Sequence, residues 1–391
     1  MCIGCSNTSR ATAAKSKKKR RENRLLIKEK NAIPYIVAKP LLKVKIILVL
    51  HSVTNISFLS TAKTNTKPAF KVQRYTASHK AEWNDFIASA KNATFLFNRN
   101  FMDYHSDRFD DFSLLVYKGK KLCAVLPANK TEDMLISHQG LTYGGLVLQA
   151  KIKFADSAML FQALLKFIAE SDVKKLRIKL LPVNYHSVPA EEIQYLLQAV
   201  DAKRNQVAVA SAIDLQNRLK IQSNRMEGVK KAHKHELQIQ EGKTFEPFWE
   251  DILAPNLKKR FGASPVHSLE EIKRLGNYFP ENIHQFNVLK ENKIVAGATV
   301  FETDTLVHTQ YISANRDKQQ LGSLDFLFHY LITDRFKHKR YFDFGTSNEQ
   351  NGKKINAGLQ YWKECFGART IVYEQYEVNP KNHFLLNSIG I

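Results

Sequence analysis

Two side chains on one predicted strand could transfer protons. The strand covers residues 306–313, and its period of two places His308 and Gln310 on the same face. Tyr311 then lies on the opposite face. A histidine at an open strand edge could act as a general base, and a tyrosine could act as a general acid toward a thiolate leaving group. The commoner alternative for either is a hydrogen-bonded structural side chain.

A carboxylate and two small residues occur at the end of a second predicted strand. Asp343 lies near the end of the buried-type strand Tyr341 to Phe344, and Gly345 and Ser347 follow it. Because α/β folds bind ligands beyond the carboxyl ends of strands, we expect Asp343 to be catalytic. Gln310, Gly345 and Ser347 would contact the substrate. The alternative is that Asp343 or Ser347 only caps the loop.

A segment between a strand and a helix could bind phosphate. Residues 314–320 are predicted to be a polar loop, and Gly322 follows just before an amphipathic helix. Free backbone N–H groups at a helix start, with a glycine that permits close approach, form an anion site. The residues expected to bind a phosphate-bearing ligand here are Arg316, Gln319, Gln320, Leu321, Gly322 and Ser323. An ordinary turn with a helix cap is the alternative.

The positive charge is concentrated near the amino terminus. The 391 residues have a net charge of +22, and residues 1–67 hold 15 Lys and Arg but two acidic residues. We expect residues 1–67 to be a disordered basic extension. Their run KSKKKRRENR is alternatively a nuclear-localisation or polyanion-binding patch. The apolar stretch Leu41 to Leu50 is too short to cross a membrane, so no transmembrane segment is predicted.

The four cysteines favour neither a metal site nor a disulfide framework. Cys2 and Cys5 form a lone CxxC pair, whereas Cys123 and Cys365 lie far apart in the sequence. A zinc site needs about four ligands, and no second pair at ligand spacing follows. We therefore predict no metal, reduced thiols and a cytoplasmic protein.

From residue 68 onward the pattern is that of a folded α/β (α+β) protein. Strand and helix patterns alternate twice, which predicts two halves, residues 68–215 and 216–391, each a mixed central sheet flanked by helices. Their similar element order indicates a duplicated fold. Ser78 and Ser268 are predicted helix caps, and Glu291-Asn292 is a predicted hairpin turn.

Three stretches resemble FemAB-type, GNAT-like acyltransferases. They are RMEGVKKAHKH at 225–235, AGATVFETDTLVHTQY at 296–311 and YFDFGTSNEQNGKKINAGLQYWKECFG at 341–367. The first half matches through Tyr143-Gly144-Gly145, which suggests that Tyr143 and Gly144 contact the substrate. Gln319 and Gly322 fit the family's coenzyme A pyrophosphate loop, whereas Leu324 stands where Gly or Ala is usual. The resemblance covers about four fifths of the chain.

The resemblance implies two fused GNAT-like halves and acyl transfer to an amine. The acceptors expected are small molecules or cell-envelope precursors such as amino sugars, with acyl-CoA as a co-substrate and no permanently bound cofactor. The donor site would lie in the second half, which carries the loop. Backbone N–H groups would polarise the carbonyl, and placement of the two substrates would supply much of the rate.

The identity of the donor separates the remaining hypotheses. Aminoacyl-tRNA-dependent relatives commonly carry a long helical arm in the second half, and only one short basic helix fits between Leu215 and Gln238. This disfavours tRNA and favours acyl-CoA. The alternatives are a peptidoglycan-bridge aminoacyltransferase, a non-catalytic GNAT-like protein and a nucleic-acid-binding protein. The sequence carries no signal for an oligomeric state.

Overall fold

A computed structural model describes residues 69–350 and 352–390. The predicted basic extension lies outside the described residues, and so do its lysine-rich run, its apolar stretch and the Cys2-Cys5 pair. The described residues belong to one structural unit, so contacts between the two predicted halves are part of the fold.

The described residues form seventeen strands. They are β1 (Phe70–Arg74), β2 (Asp110–Asp111), β3 (Leu114–Lys118), β4 (Lys121–Leu126), β5 (Asn129–Thr131), β6 (Met134–Ile136), β7 (Val147–Leu148), β8 (Lys175–Lys179), β9 (Lys203–Asp214), β10 (Gln238–Gly242), β11 (Ile283–Lys290), β12 (Lys293–Glu302), β13 (Leu306–Ala314), β14 (Tyr341–Thr346), β15 (Asn348–Glu349), β16 (Lys354–Ile355) and β17 (Arg369–Val378).

Helices flank the sheets in both halves. The α-helices are α1 (Lys80–Ser89), α2 (Arg99–Met102), α3 (Phe154–Ala169), α4 (Glu192–Ala199), α5 (Ser223–Lys234), α6 (Glu246–Phe248), α7 (Ala254–Phe261), α8 (Leu269–Tyr278), α9 (Lys318–Leu321), α10 (Ser323–Tyr330) and α11 (Ala357–Cys365). A π-helical turn, Trp249–Leu253, joins α6 to α7, and a second, Leu331–Arg335, continues α10. No helix among the described residues is both long and apolar enough to cross a membrane.

An eleven-stranded mixed sheet is the centre of the fold. Its order is β10-β11-β12-β13-β14-β9-β17-β8-β6-β5-β2, and a four-stranded sheet, β1-β3-β4-β7, lies in the first half. Among the described strands only β13 with β14 and β6 with β8 pair in parallel. Each predicted half therefore contains one parallel pair in an otherwise antiparallel sheet. The predicted mixed α/β class is confirmed.

Strands β9 and β17 connect the two halves. The carboxyl-terminal strand β17 pairs with β9 on one side and with β8 of the first half on the other. Strand β9 in turn pairs with β14 of the second half. The predicted boundary at residue 215 follows β9 directly and stays a prediction, because one sheet continues through both halves.

Most predicted elements are present, and their local causes are visible. The Ser268 hydroxyl accepts a hydrogen bond from the Glu271 backbone N–H at 3.1 Å, and the Glu271 carboxylate accepts one from the Ser268 N–H at 2.8 Å, which is a capping box. Glu291 and Asn292 both have positive φ, as a tight hairpin turn requires. The predicted Ser78 cap is wrong: α1 begins at Lys80 after a 3₁₀ turn whose N-cap is Thr76.

The segment before Gly322 is helical and covered by another helix. Instead of an open polar loop through residue 320, it contains α9, which ends at Gly322 with φ of +67°. A Cβ at Gly322 would lie 1.9 Å from the carbonyl oxygen of Gly228 in α5. A Cβ at Gly228 would lie 2.0 Å from a carboxylate oxygen of Asp325. The two glycines therefore let α5 and α10 approach closely.

This close approach predicts the stability effect of an added methyl group. Gly322→Ala is expected to lower the free energy of unfolding by about 2–5 kcal/mol, from overpacking plus the cost of left-handed backbone for an L-residue. Gly262→Ala is the matched control, because its φ is +61° and nothing lies within 4 Å of its Cβ position. The control should lose only about 1–2 kcal/mol in urea unfolding. Equal losses in the two variants would contradict the packing role of Gly322.

Candidate active site

The parallel strands β13 and β14 separate after three residue pairs. The last pair joins His308 to Asp343. Beyond it, β14 also loses register with β9 between Asp343 and Thr346, and Gly345 has φ of +70°. A cavity of about 610 Å³ lies where the strands diverge. Residues lining it include His308, Thr309, Gln310, Gly345, Lys363 and Tyr373.

The carboxylate of Asp343 is fully buried and surrounded by donors. Its Oδ2 accepts hydrogen bonds from the hydroxyls of Tyr185 at 2.6 Å and Tyr373 at 2.7 Å, and it lies 3.3 Å from Nδ1 of His308. Its Oδ1 accepts the backbone N–H of Gly345 at 2.7 Å. The charge is therefore held by four donors rather than by water.

The environment keeps Asp343 ionised. Burial by itself raises the pKa of this carboxyl, but hydrogen bonds and attraction from His308 and hydrogen bonds from the two tyrosines outweigh it, so the pKa lies below the ordinary value of 3.8. Burial, followed by the nearby Asp343 charge, raises the pKa of both Tyr185 and Tyr373 well above 10. The tyrosines therefore stay protonated as donors.

The imidazole of His308 connects this buried cluster to the cavity. Its Nδ1 lies 3.0 Å from the Tyr185 hydroxyl and 3.3 Å from Asp343. A proton on Nδ1 satisfies both contacts and leaves the lone pair on Nε2. Nε2 makes no hydrogen bond among the described residues, and the ring lines the cavity. This arrangement suits a general base whose protonated form is stabilised by a carboxylate behind it.

Two lysines give the cavity positive charge. Lys363 is 3% exposed, and its Nζ donates to the carbonyl oxygens of Gly345 and Thr346, each at 2.8 Å. Lys179 donates to the carbonyl of Leu141. Burial lowers the pKa of each lysine to about 8. Neither forms an ion pair within 4.0 Å among the described residues, so an anion in the cavity would be attracted to both.

Two polar atoms beside the cavity have no hydrogen-bond partner in the described part of the chain. They are Oγ1 of Thr309 and Oε1 of Gln310, and both atoms are buried. Buried polar atoms normally have hydrogen-bond partners, so two without one are unusual. Each could accept a hydrogen bond from a ligand in the cavity.

The sequence matches no family model and no curated protein. Several solved structures are similar in fold. FemX superposes with a TM-score of 0.55 at 10% identity, covering 81% of this chain and 99% of FemX. The C-terminal domain of a putative lysylphosphatidylglycerol synthetase from Agrobacterium fabrum gives 0.53 at 11% identity, covering 80% and 96%. A tandem GNAT protein from the clavulanic acid biosynthesis pathway gives 0.43 at 11%, covering 80% and 99%.

The chain has a FemAB-like, GNAT-type fold. The likeness to FemX and to the synthetase domain extends over about four fifths of the chain. At 10–11% identity this likeness establishes the fold alone.

Within this FemAB-like fold the predicted catalytic residues do not all meet. His308 and Asp343 are in contact, whereas Tyr311 lies elsewhere, with its hydroxyl 2.6 Å from Nδ1 of His267. Burial raises the pKa of Tyr311 to about 12. The structure places the hydroxyls of Tyr185 and Tyr373 beside His308 instead.

The predicted alternation of faces along β13 is wrong beyond Thr309. Thr309 pairs with Val300 and Tyr311 pairs with Thr299, so Gln310 is an extra, unpaired residue. Such a bulge inverts the alternation that follows it. Tyr311 consequently packs in the same hydrophobic cluster as Leu306, whereas strict alternation would place it on the other face.

The predicted phosphate-binding residues lie away from the cavity. Leu321, Gly322 and Ser323 are buried, while Arg316, Gln319 and Gln320 are exposed. Asp325 already places a carboxylate in the first turn of α10, where it accepts hydrogen bonds from Arg225 at 2.8 Å and Trp362 at 3.0 Å. None of the six predicted residues lines the cavity.

Only some of the predicted substrate-binding residues line the cavity. Gln310 and Gly345 line the cavity, but Tyr143, Gly144 and Ser347 do not. The Tyr143 hydroxyl lies 3.0 Å from Oγ1 of Thr94 inside the first half. A Cβ at Gly144 would lie 1.6 Å from the Ser137 carbonyl oxygen, so this glycine serves close packing.

Sequence reasoning missed four residues of the cluster and cavity. They are Tyr185, Tyr373, Lys179 and Lys363. Lys363 had one usable signal: it is a lysine on a helix face beside the buried residues Cys365 and Phe366. Nothing local distinguishes Tyr185, whose role depends on contact with a residue 158 positions away.

The buried carboxylate predicts a characteristic dependence of stability on pH. Because the folded pKa of Asp343 is below its unfolded value, its ionised form stabilises the fold above pH 3.8, and this contribution is lost as the pH falls through the folded pKa. Asp343→Asn should cost about 1–3 kcal/mol at neutral pH. The difference from the wild type should shrink in acid, as measured by urea unfolding between pH 7 and pH 2. Exposed Asp304→Asn is the control, and parallel pH profiles for Asp343→Asn and the wild type would refute this role.

Proposed function

We propose that the chain is an N-acyltransferase whose reaction takes place in the cavity between β13 and β14. The observation that carries this proposal is the free Nε2 of His308, which lies at the cavity while Nδ1 contacts the Asp343 and Tyr185 cluster. The FemAB-like resemblance, which implies transfer of an acyl or aminoacyl group to an amine, supports it.

His308 acts as the general base in this proposal. The amine nitrogen of the acceptor attacks the carbonyl carbon of the donor, and Nε2 takes the proton that the nitrogen loses. The imidazolium that forms is stabilised by the Asp343 carboxylate at 3.3 Å. When the tetrahedral intermediate collapses, the carbon–sulfur bond breaks, and the same proton neutralises the leaving thiolate.

Lys363 stabilises the oxyanion of the tetrahedral intermediate. Its ammonium group contacts the carbonyl oxygen of Gly345, and a Cβ at Gly345 would lie 3.0 Å from Cε1 of His308. Gly345 therefore adjoins both the base and the cation, and the donor carbonyl would lie beside it. A cation in a site shielded from water stabilises a developing negative charge more strongly than in bulk solvent.

The acceptor amine is held by Gln310 and Thr309. Both side chains offer a buried oxygen without a partner in the described part of the chain, and an amine has N–H groups to donate. Holding the nitrogen close to Nε2 of His308 would supply much of the rate through proximity.

An acyl thioester such as acyl-CoA is the donor that we favour. Helix α5 is 12 residues long and packs on α10 through Gly228 and Gly322, so it does not extend as an arm for tRNA. The exposed Arg316, Gln319 and Gln320 could still contact the phosphates of coenzyme A, whereas the backbone of Gly322 is covered. The acceptor would be a small amine or an amino-sugar-like cell-envelope precursor, acylated in the cytoplasm.

An aminoacyl-tRNA donor is the second candidate. The end of α7 carries Lys258, Lys259 and Arg260, and Arg260 is close enough to Lys318 to contribute, after burial, to its lowered pKa. With Lys318 these residues form a basic cluster that would attract a phosphate backbone. Parallel assays with acetyl-CoA and with aminoacylated tRNA, each with amino sugars as acceptors, distinguish the two donors by the mass of the product.

The first test of the proposal is removal of the base. His308→Gln should lower kcat about 10²–10⁴-fold with little change in KM, because general-base catalysis typically contributes this factor. The matched control is His338→Gln, at an exposed histidine, which should transfer at the wild-type rate. Full activity in His308→Gln, or no product from either donor with the wild type, would refute the proposal.

The second test concerns the charge on Lys363. Because its pKa is about 8, kcat/KM of the wild type should fall as the pH rises above about 8 and the ammonium loses its proton. Lys363→Met should be about 10²–10³-fold slower at pH 7 and should lack this alkaline decline. Lys179→Met separates the two lysines, since it should retain the decline. If the fall in kcat/KM at alkaline pH disappears only in Lys179→Met, the ammonium group required for the reaction is that of Lys179 and not that of Lys363.

A further inference from the structure

A second cavity lies on the other side of Gln310 and has a different character. It measures about 310 Å³, and Gln310 and Thr142 line both this cavity and the one that contains His308. These two residues therefore form part of the boundary between the two spaces. We call the smaller space the aromatic chamber, because its walls include Phe101, Tyr104 and Phe301.

Histidine and aromatic rings are stacked along one wall of the chamber. His105 stacks on Tyr104 with centroids 4.1 Å apart, and on His138 with centroids 4.9 Å apart. Phe109 meets His105 edge-on at 5.1 Å. The faces of these rings are covered by one another. No group of three or more metal-ligating side chains occurs among the described residues.

The histidines of the chamber are neutral. Burial lowers the pKa of His267 to about 4 and that of His138 to about 2, and it also lowers the pKa of His105. Arg108 is the one cation among the described residues that line the chamber, and it is ion-paired with Glu271 at 2.6 Å. An anionic ligand group would therefore find no unpaired cation among the described residues that line the chamber, and removal from water without an ionic partner would disfavour a charged group of either sign.

The tautomer of His267 follows from its partners. The backbone N–H of His267 donates to the Tyr311 hydroxyl oxygen at 3.2 Å, so the hydroxyl is free to donate its own proton to Nδ1 at 2.6 Å. Nδ1 is then an acceptor, and Nε2 carries the proton. His267 is 4% exposed and lines the chamber, and its Nε2 has no hydrogen-bond partner in the part of the chain that the structure describes.

Besides the two buried ring nitrogens of His105, which lack a partner among the described residues, the chamber offers a further donor and a further acceptor between aromatic walls. The donor is the Nε2–H of His267, and the acceptor is the buried Oε1 of Gln310, whose two lone pairs allow it to accept from this group as well as from the acceptor amine. We propose that the aromatic chamber binds an uncharged planar group of the acyl acceptor, one that carries both a hydrogen-bond acceptor and a donor and is about the size of a benzamide. This assignment rests on the proposed acyl transfer, because the amine next to Gln310 would connect that group to His308.

Ligand binding without turnover tests this assignment. Benzamide, toluene and benzylamine are titrated separately into the full chain and followed by NMR chemical shifts. Benzamide should bind more tightly than toluene, which lacks the polar pair, and than benzylamine, which is protonated at pH 7. Gln310→Leu should weaken benzamide binding about tenfold and leave toluene binding unchanged.

Stability provides a check on the variant, and His308→Gln separates the two proposals. Because the buried Oε1 of Gln310 has no hydrogen-bond partner among the described residues, Gln310→Leu should not lower the thermal unfolding midpoint. His308→Gln should bind benzamide as the wild type does, even though it loses acyl transfer. The chamber proposal is overturned if benzamide fails to bind, if it binds no better than toluene, or if Gln310→Leu binds it unchanged. Failure of transfer with intact benzamide binding would count against the proposed function alone.

Discussion

The buried carboxylate of Asp343 is the constraint on which the arrangement of this site depends. A charge without water is strongly destabilising unless several donors surround it. Here the donors come from β13, from β17, from the 3₁₀ turn Val183–Tyr185 and from Gly345 in β14 itself. These segments belong to both halves of the chain. Stabilising the carboxylate therefore requires the two halves to form one sheet, and β17, paired on both sides, provides that continuity.

The cavity is a consequence of two irregularities in neighbouring strands. Gln310 is unpaired in β13, and Gly345 takes a left-handed conformation in β14. Bulges and positive-φ glycines at such a position re-aim side chains, which is why they concentrate near active sites. The same Gln310 then faces two cavities, because the bulge moves it out of the regular alternation.

The sequence predicted elements and single residues better than it predicted contacts. Capping at Ser268 and the turn at Glu291-Asn292 depend on local chemistry, and the structure confirms both. His308 and Asp343 could be singled out because each lies on a strand with a recognisable pattern. Tyr185 joins them only through long-range folding.

Errors arose where tertiary packing overrides a local pattern. Gly322 fits a phosphate-binding motif, but its missing side chain makes room for the carbonyl of Gly228. Strict alternation put Tyr311 and His308 on opposite faces, and a single unpaired residue reverses that expectation. Neither the close approach of α5 nor the bulge at Gln310 leaves a mark in the local sequence, because each is decided by the neighbouring element.

The distribution of charge around Gln310 fits the needs of amine acylation. An attacking amine must be neutral, and a low-dielectric wall or a nearby cation lowers the pKa of an amine. The aromatic chamber provides the low-dielectric wall, and Lys179 and Lys363 provide the nearby cations. An acceptor spanning the two cavities would thus have its nitrogen deprotonated partly by the environment. His308 would then need to take only the proton released during attack, and the same lysines would attract the oxyanion that the attack creates.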